Sequence, residues 1–178
     1  MGGIDLELRV AIFKRHSIRA FRDDEVEEGR LLKILEDANQ APSAGNLQAR
    51  DFIVVKDKET KKDIARAALD QGFIAQAPVV IVICANMARS AAKYGRRGAE
   101  LYSILDAALA AQNLMLSCVE EGLGSCYVGA FYEDQIRKIL GVPETVVPIG
   151  IIPIGYPDEE PYITDRLPIE RIVHREKW

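Results

Sequence analysis

The sequence has few of the residues that usually build metal sites or disulfide frameworks. Its 178 residues include three cysteines and two histidines. Cys84, Cys118 and Cys126 have no CxxC spacing, and an odd number argues against a disulfide framework, so we expect three core thiols. His16 and His174 lie far apart and have no cysteine or carboxylate at metal-ligand spacing. We therefore expect no metal site.

Long apolar runs and an excess of basic charge are also missing. No stretch approaches the roughly 18 apolar residues of a membrane span, and residues 1–9 carry acids where a signal peptide needs a basic start. The formal net charge is −4, with basic residues scattered among acidic ones. Such a surface disfavours nucleic acid and anionic lipid as partners. We expect a cytoplasmic protein that binds neither nucleic acid nor membrane.

Three common catalytic signatures are absent. Residues 122–130 (GLGSCYVGA) follow a predicted helix and have Tyr127 where a dinucleotide-binding GxGxxG/A motif needs a small residue. Residues 141–150 contain no GK[ST] of a phosphate loop, and the sequence contains no GxSxG. The sequence therefore gives no support for a Rossmann site, nucleoside triphosphate hydrolysis or a serine hydrolase.

What the sequence does contain is an ordinary globular composition, with 48% apolar and 28% charged residues. A length of 178 residues suits one domain, over 1–178, with one kind of site. Apolar periodicity predicts helices over 5–14, 26–39, 63–69, 99–121 and 133–140. Apolar and β-branched runs predict strands over 52–55, 79–83, 125–128 and 146–154. Alternation of strands and helices predicts a layered α/β arrangement.

Two segments indicate a second subunit. The predicted helix over 99–121 is apolar around most of its circumference, and a chain of this size cannot easily enclose one helix on every side. From about residue 157 the chain has little periodicity but many apolar side chains, so we expect an arm that wraps the partner of a homodimer. These side chains are Tyr162, Ile163, Leu167, Ile169, Ile172, Val173 and Trp178.

Two polar segments have residues that suit a ligand. Residues 15–19 (RHSIR) place two guanidiniums and a hydroxyl together, which suits a phosphate but is also typical of a solvated basic turn. Residues 42–48 (PSAGNLQ) combine small residues, which let a ligand approach the backbone, with the amides of Asn46 and Gln48. The same composition is common in ordinary turns. Each segment alone leaves both interpretations open.

Taken together, four motifs in this order resemble the nitroreductase family of flavoenzymes. They are residues 15–19, 41–48 (APSAGNLQ), 122–131 (GLGSCYVGAF) and 166–168 (RLP). The APVVI segment at 77–81 and the EEGLG helix end at 120–124 fit the same pattern, and the similarity extends over 6–168. The resemblance implies an α+β fold with a mixed, mainly antiparallel sheet flanked by helices. It also implies an intertwined homodimer with two FMN molecules at the subunit interface.

The resemblance assigns roles to the basic segment. Arg15, Ser17 and Arg166 would hold the FMN phosphate, and His16 would lie near the ribityl or pyrimidine side. Arg19 would lie near the N1/O2 edge of the flavin ring. A fixed cation there stabilises the reduced flavin anion by preorganised electrostatics, so Arg19 is the main residue expected to tune the cofactor.

The other cofactor contacts implied by the resemblance lie in three further segments. The backbone would pass near the flavin N5 atom at Val128, Gly129 and Ala130. Gly129 is therefore the second predicted catalytic position. Gln71 is a further predicted contact. The partner subunit would supply Pro42, Ser43, Ala44 and Asn46, with Gln48 ordering that loop.

Three departures from the family pattern leave substrate preference open. Gly129 stands where larger members often carry Glu, and Phe73 stands near a position where some carry Lys. The segment over 86–98 is short compared with the helical excursion of larger members. It carries side chains that either shape the pocket or face water, namely Tyr94, Arg96 and Arg97.

The resemblance implies an FMN-dependent oxidoreductase that transfers hydride from NADH or NADPH through flavin N5 to nitroaromatics, quinones or similar acceptors by a ping-pong mechanism. FMN would be bound tightly and the nicotinamide transiently, in keeping with the missing Rossmann motif. One alternative is a flavin enzyme of the same fold with different chemistry, such as reductive dehalogenation or flavin cleavage. Others are a non-enzymatic flavin-binding module and an interaction protein whose arginines are only surface charge.

Overall fold

The computed structural model describes residues 7–178, so the first two residues of the helix predicted over 5–14 lie outside the described residues. The helices are α1 Leu8–Lys14, α2 Glu28–Asn39, α3 Lys58–Ala67, α4 Phe73–Gln76, α5 Met87–Arg97, α6 Ser103–Glu120 and α7 Glu133–Leu140. The strands are β1 Arg50–Val55, β2 Val79–Asn86, β3 Gly124–Ser125 and β4 Val146–Gly155. Short helical turns cover Ala44–Asn46, Gly98–Tyr102 and Ile169–Arg171.

The four strands form one sheet in the order β1-β2-β4-β3, and all three neighbouring pairs are antiparallel. One parallel bridge, between Ser17 and Ser125, extends the sheet beyond β3. The prediction of a mixed, mainly antiparallel sheet flanked by helices is therefore confirmed.

The central strand β2 divides the interior into two hydrophobic cores. Successive side chains of a strand point to opposite faces, and seven of the eight β2 residues are buried, so both faces of this strand are covered. Val79, Ile81, Ile83 and Ala85 enter one core together with buried residues of α2 and α6. Val80, Val82 and Cys84 enter the other core, with α3, α4 and α7. The result is a three-layer arrangement with the sheet in the middle.

Most predicted elements are present, but several boundaries were wrong. The helix predicted over 63–69 begins at Lys58, where the Asp57 side chain caps the helix by accepting a hydrogen bond from the backbone N–H of Thr60 at 2.8 Å. Its first turn, Lys58 to Lys61, has no apolar side chain, so it carries no apolar period. The strand predicted over 125–128 is only Gly124–Ser125, with a single further bridge from Val128 to Ile151.

The region before α6 differs most from the prediction. Helix α5 was missed because its residues are mainly polar, and the predicted helix over 99–121 begins only at Ser103, after a π-helical turn. Near the end of α5 the chain kinks at Gly95, which has φ 54° and ψ −140°. Gly98 then approaches α5 so closely that a Cβ atom would lie 2.5 Å from the Ser90 carbonyl oxygen.

Helix α6 is buried on one side only. The side facing away from the sheet exposes an apolar stripe that continues from the preceding turn, formed by Leu101, Ile104, Leu105 and Leu109. The segment after residue 157 is also exposed, including Tyr162, Ile163 and Trp178. These are the two surfaces from which the sequence predicts a partner subunit.

The continuous helical stretch Met87–Glu120 has the length and mean hydropathy of a membrane span. Half of its most apolar 18-residue window is buried inside the fold, however, as in the core helix of a globular protein.

The close approach at Gly98 generates a stability prediction. Gly98→Ala should lower the free energy of unfolding by about 1 to 3 kcal/mol, because the new methyl group meets backbone atoms that cannot move independently. Gly29→Ala, in helix α2, is the control. A Cβ atom there meets nothing within 4 Å, so this substitution should stabilise by about 0.5 to 1 kcal/mol. Urea denaturation at one fixed protein concentration measures both, and equal effects would contradict the close packing.

The cysteines generate a second prediction. All three are buried, and burial raises the pKa of the Cys84 and Cys118 thiols to about 12. The folded state therefore keeps protons that the unfolded state loses, so these thiols stabilise the fold below their ordinary pKa and lose that contribution as pH rises towards about 12. At neutral pH the native protein should not react with DTNB, whereas three thiols should react in denaturant. Rapid reaction of the native protein would show that a cysteine is accessible.

Candidate active site

The segment over 17–22, which contains the second half of the basic segment over 15–19, is held at the β3 edge of the sheet. Near the start of the segment, the backbone N–H of Ile18 donates to the carbonyl of Ser125 at 3.0 Å. Near its end, the N–H of Arg22 donates to the carbonyl of Tyr156 at 2.9 Å. The backbone of the segment is therefore hydrogen-bonded to the sheet at both of its ends.

The main chain of Arg19 is held by hydrogen bonds, and its side chain has no anionic partner among the described residues. Its backbone N–H donates to Glu159 Oε1 at 2.5 Å, and the same oxygen accepts from the N–H of Ala20 at 3.2 Å. The guanidinium carbon lies 6.0 Å from the centroid of the Phe73 ring. Among residues 7–178, no carboxylate forms an ion pair with Arg19 or with the half-buried Arg15. Two cations at this edge are thus without anionic partners in the part of the chain that the structure describes.

The segment over 128–130 leaves the same edge with an open backbone. Val128 exchanges two hydrogen bonds of 2.9 Å with Ile151, and the chain then emerges at the surface, where Gly129 and Ala130 are exposed. The Gln71 side-chain amide donates to the Ala130 carbonyl at 3.2 Å. The structure therefore brings Gln71 to the segment predicted to pass flavin N5.

Gly129 has space on the side where a side chain would lie. A Cβ atom there would meet only the Tyr127 ring, at 3.6 Å, which is an ordinary van der Waals distance. The backbone of this loop is consequently accessible to a flat ligand.

The loop over 42–48 lies at the opposite edge of the sheet, because it leads into the edge strand β1. Its shape is irregular, with positive φ angles at Gly45 (57°), Asn46 (57°) and Gln48 (50°). The Ser43 hydroxyl accepts a hydrogen bond from the backbone N–H of Gln48 at 2.9 Å. The side-chain amide of Gln48 donates to the carbonyl of Asn46 at 3.2 Å.

Within one chain the two groups of predicted site residues do not meet. Strands β1 and β3 are separated by β2 and β4, which places the two edges about 14 Å apart at the usual strand spacing. Segments 15–19, 128–130 and Gln71 lie at one edge, and the loop over 42–48 lies at the other.

Two residues of the predicted cofactor site are not joined to the rest within the described chain. Arg166 is exposed in the C-terminal segment, where its guanidinium donates to Thr164 Oγ1 at 2.8 Å and to neighbouring carbonyls. No hydrogen bond or ion pair joins it to another predicted site residue in the part of the chain that the structure describes. His16 is half-buried and makes no side-chain hydrogen bond to residues 7–178.

Sequence reasoning missed three charged side chains that support the loop over 42–48. Asp106 and Arg50 are buried, with 2% and 3% of their surfaces exposed, and Arg89 reaches the end of the loop from α5. Two of them carried a recognisable signal. Asp106 is an acid within the apolar helix α6, and Arg50 begins a strand, so both are charges at positions that call for a buried partner.

A cavity of about 700 Å³ lies elsewhere and is lined by none of the predicted site residues. Lys61 lines it and is buried, but its Nζ atom donates to the carbonyls of Ala77 and Pro78, so it has a structural role. No group of three or more metal-ligating side chains is found among the described residues.

Comparison with known proteins agrees with this architecture. The family model described as "Nitroreductase family" matches residues 12–73 and 66–156. The chain is 35% identical to an NADH dehydrogenase of Thermus thermophilus, an alignment that covers 94% of this chain and 95% of that protein. It is 34% identical to a putative NADH dehydrogenase/NAD(P)H nitroreductase of Archaeoglobus fulgidus, over 94% of this chain and 96% of that protein.

A solved structure shows the same fold. The NADPH:FMN oxidoreductase of Vibrio harveyi, in complex with NAD+, superposes with a TM-score of 0.89 at 26% sequence identity. The match covers 96% of this chain and 77% of that one. The sheet, its two helical layers and the order of the four sequence motifs thus define an oxidoreductase with an α+β fold. The chain belongs to the nitroreductase family.

Proposed function

We propose that this protein is an FMN-dependent NAD(P)H oxidoreductase that reduces small acceptors such as nitroaromatics and quinones. The observation that carries the proposal is the β3 edge, where Arg15 and Arg19 lie on a fixed backbone without carboxylate partners in the described chain. The Vibrio harveyi relative, an FMN oxidoreductase bound to NAD+, supports the same assignment.

The residues at this edge fit FMN chemically. A phosphate monoester needs charge and hydrogen-bond donors, which the guanidinium of Arg15 and the hydroxyl of Ser17 offer together, with Arg166 as a further cation. A planar ring needs an open backbone, and Gly129 provides it. The pyrimidine edge of the ring needs hydrogen-bond partners, and the side-chain carbonyl of Gln71 offers an acceptor, while its amide nitrogen donates to the carbonyls of Ala68 and Ala130.

When bound, FMN supplies a two-electron carrier that accepts hydride from NADH or NADPH and delivers it to the acceptor. The guanidinium of Arg19 would stabilise negative charge on the reduced ring. Because its backbone is tied to Glu159 and to the neighbouring strand segment, little reorganisation accompanies that stabilisation. Hydrogen bonds of Val128 with Ile151 and of the Ala130 carbonyl with Gln71 hold the backbone on both sides of Gly129, which positions its N–H.

The site is complete only in a homodimer. Pro42, Ser43, Ala44 and Asn46 lie at the far edge of the sheet from Arg19, so in this proposal they reach the cofactor from the partner subunit. The exposed apolar stripe on α6 and the exposed C-terminal arm are the surfaces that would be buried between the subunits. Four large apolar side chains in one stripe are costly to leave in water.

The cofactor assignment gives a spectroscopic prediction. Protein reconstituted with FMN should be yellow, and anaerobic NADH or NADPH should bleach it. Arg19→Ala should slow this bleaching about 100-fold and make the flavin reduction potential more negative, because the charge that favours the reduced ring is gone. Arg19→Lys keeps the charge and should recover much of the potential.

Arg22→Ala is the matched control for this experiment. Arg22 lies three residues further along the same segment and pairs with Asp24, so it should leave the potential and rate unchanged. A colourless protein after FMN addition would sink the proposed function. An unchanged potential in Arg19→Ala would remove the role given to that residue.

The dimer gives a separate prediction. Replacing Leu105 and Leu109 by Glu should produce a monomer with little bound FMN, because charge in the stripe opposes its burial. Leu69→Glu is the control, since Leu69 is similarly exposed but follows α3 on the other face of the sheet. Light scattering and flavin content measure the outcome. A monomer that keeps FMN would contradict the shared site.

A further inference from the structure

The loop over 42–48 has a backbone that cannot hold its own shape. Asn46 and Gln48 both have φ angles near +50°, a region that residues other than glycine occupy rarely, and Gly45 between Ala44 and Asn46 has the same sign. Residues persist in such conformations only where surrounding groups impose them. The groups that impose this loop can be identified from its hydrogen bonds.

Asp106 holds the amides at the two ends of the loop. Its Oδ1 atom accepts a hydrogen bond from the N–H of Ala44 at 3.0 Å, and its Oδ2 atom accepts one from the N–H of Ala49 at 3.3 Å. The carboxylate projects from α6, a helix that is packed against the sheet, and it is 2% exposed. One buried anion therefore fixes the start and the end of the loop relative to the core.

Arg50 holds the carbonyls on the approach to the same loop. Its guanidinium donates to the carbonyl oxygens of Asn39 at 2.7 Å, Ala41 at 2.9 Å and Pro42 at 3.4 Å. Burial lowers the pKa of this guanidinium, and the nearby Asp106 carboxylate acts in the opposite direction. The buried cation and the buried anion thus offset each other's charge. The anion accepts hydrogen bonds from backbone N–H groups, and the cation donates hydrogen bonds to backbone carbonyls.

Arg89 secures the end of the loop from α5. It donates to the carbonyl of Gln48 at 2.6 Å, to the carbonyl of Arg50 at 3.0 Å and to Asp51 Oδ1 at 2.8 Å. Unlike the buried pair, it is partly exposed, so it can be changed with less risk to the core.

We infer that Asp106, with Arg50 as its counter-charge, is a positioning residue that holds the loop over 42–48 in the shape that receives FMN. The inference rests on the proposed function, in which Asn46 and its neighbours contact the cofactor. Asp106 does not touch the cofactor itself. It acts by keeping the loop in its binding-competent shape, so its loss reduces the fraction of protein ready to bind.

Asp106→Asn is the direct test, since it keeps the volume and removes the charge and one acceptor. In cofactor-free protein, amide hydrogen exchange at Ala44 and Ala49 should become faster than in the wild type. The dissociation constant for FMN should rise about 10-fold if the competent fraction falls to about one tenth. Ser103→Ala is the matched control, because Ser103 is buried one turn earlier on α6 and its hydroxyl bonds, within residues 7–178, only to the carbonyl of Ala99.

Arg89→Met provides a second test should Asp106→Asn fail to fold. It should speed exchange across residues 48–50 and weaken FMN binding by a smaller factor, with the same oligomeric state. Faster exchange together with weaker binding supports the inference. Unchanged exchange in the variants overturns it, and so does faster exchange with unchanged FMN binding. A wild type that binds no FMN overturns the proposed function, and this inference with it.

Discussion

The antiparallel pairing of β2 with β1 and β4 is the interaction on which the rest of the structure depends. It places an eight-residue strand between two neighbours and leaves both of its faces to be covered. Alternate side chains then require a helical layer on each side, which α2 and α6 provide on one face and α3, α4 and α7 on the other. The two sheet edges that remain, beyond β1 and β3, are where the irregular segments with the predicted site residues lie.

The same arrangement explains how the fold combines a rigid frame with a polar site. The segment over 17–22 and the loop over 42–48 are both irregular, yet each is held by hydrogen bonds at both of its ends. Backbone hydrogen bonds to β3 and to the residues around Tyr156 hold the first, and buried charges hold the second. In the first segment the backbone bears the structural contacts, whereas in the loop the side chains of Ser43 and Gln48 also form hydrogen bonds.

How much the sequence predicts depends on whether the information is local. Strand β2 is a continuous apolar run and α2 has a regular apolar stripe, so both were predicted closely. Helix α5 was missed because residues such as Arg89 and Lys93 give it no apolar period, and its path depends on the kink at Gly95. The motifs indicated which segments matter, whereas the separation of these segments to opposite edges depends on strand order. The buried role of Asp106 required the loop geometry, which no spacing in the sequence reveals.

The distance between the two edges has a thermodynamic consequence. In the proposed dimer each cofactor is held by two chains, so cofactor binding and subunit association are linked by mass action. Free FMN then favours assembly, and dilution of the protein favours release of the cofactor. Such a protein would respond to the cell's supply of flavin not only by filling its sites but by changing how much of it is assembled.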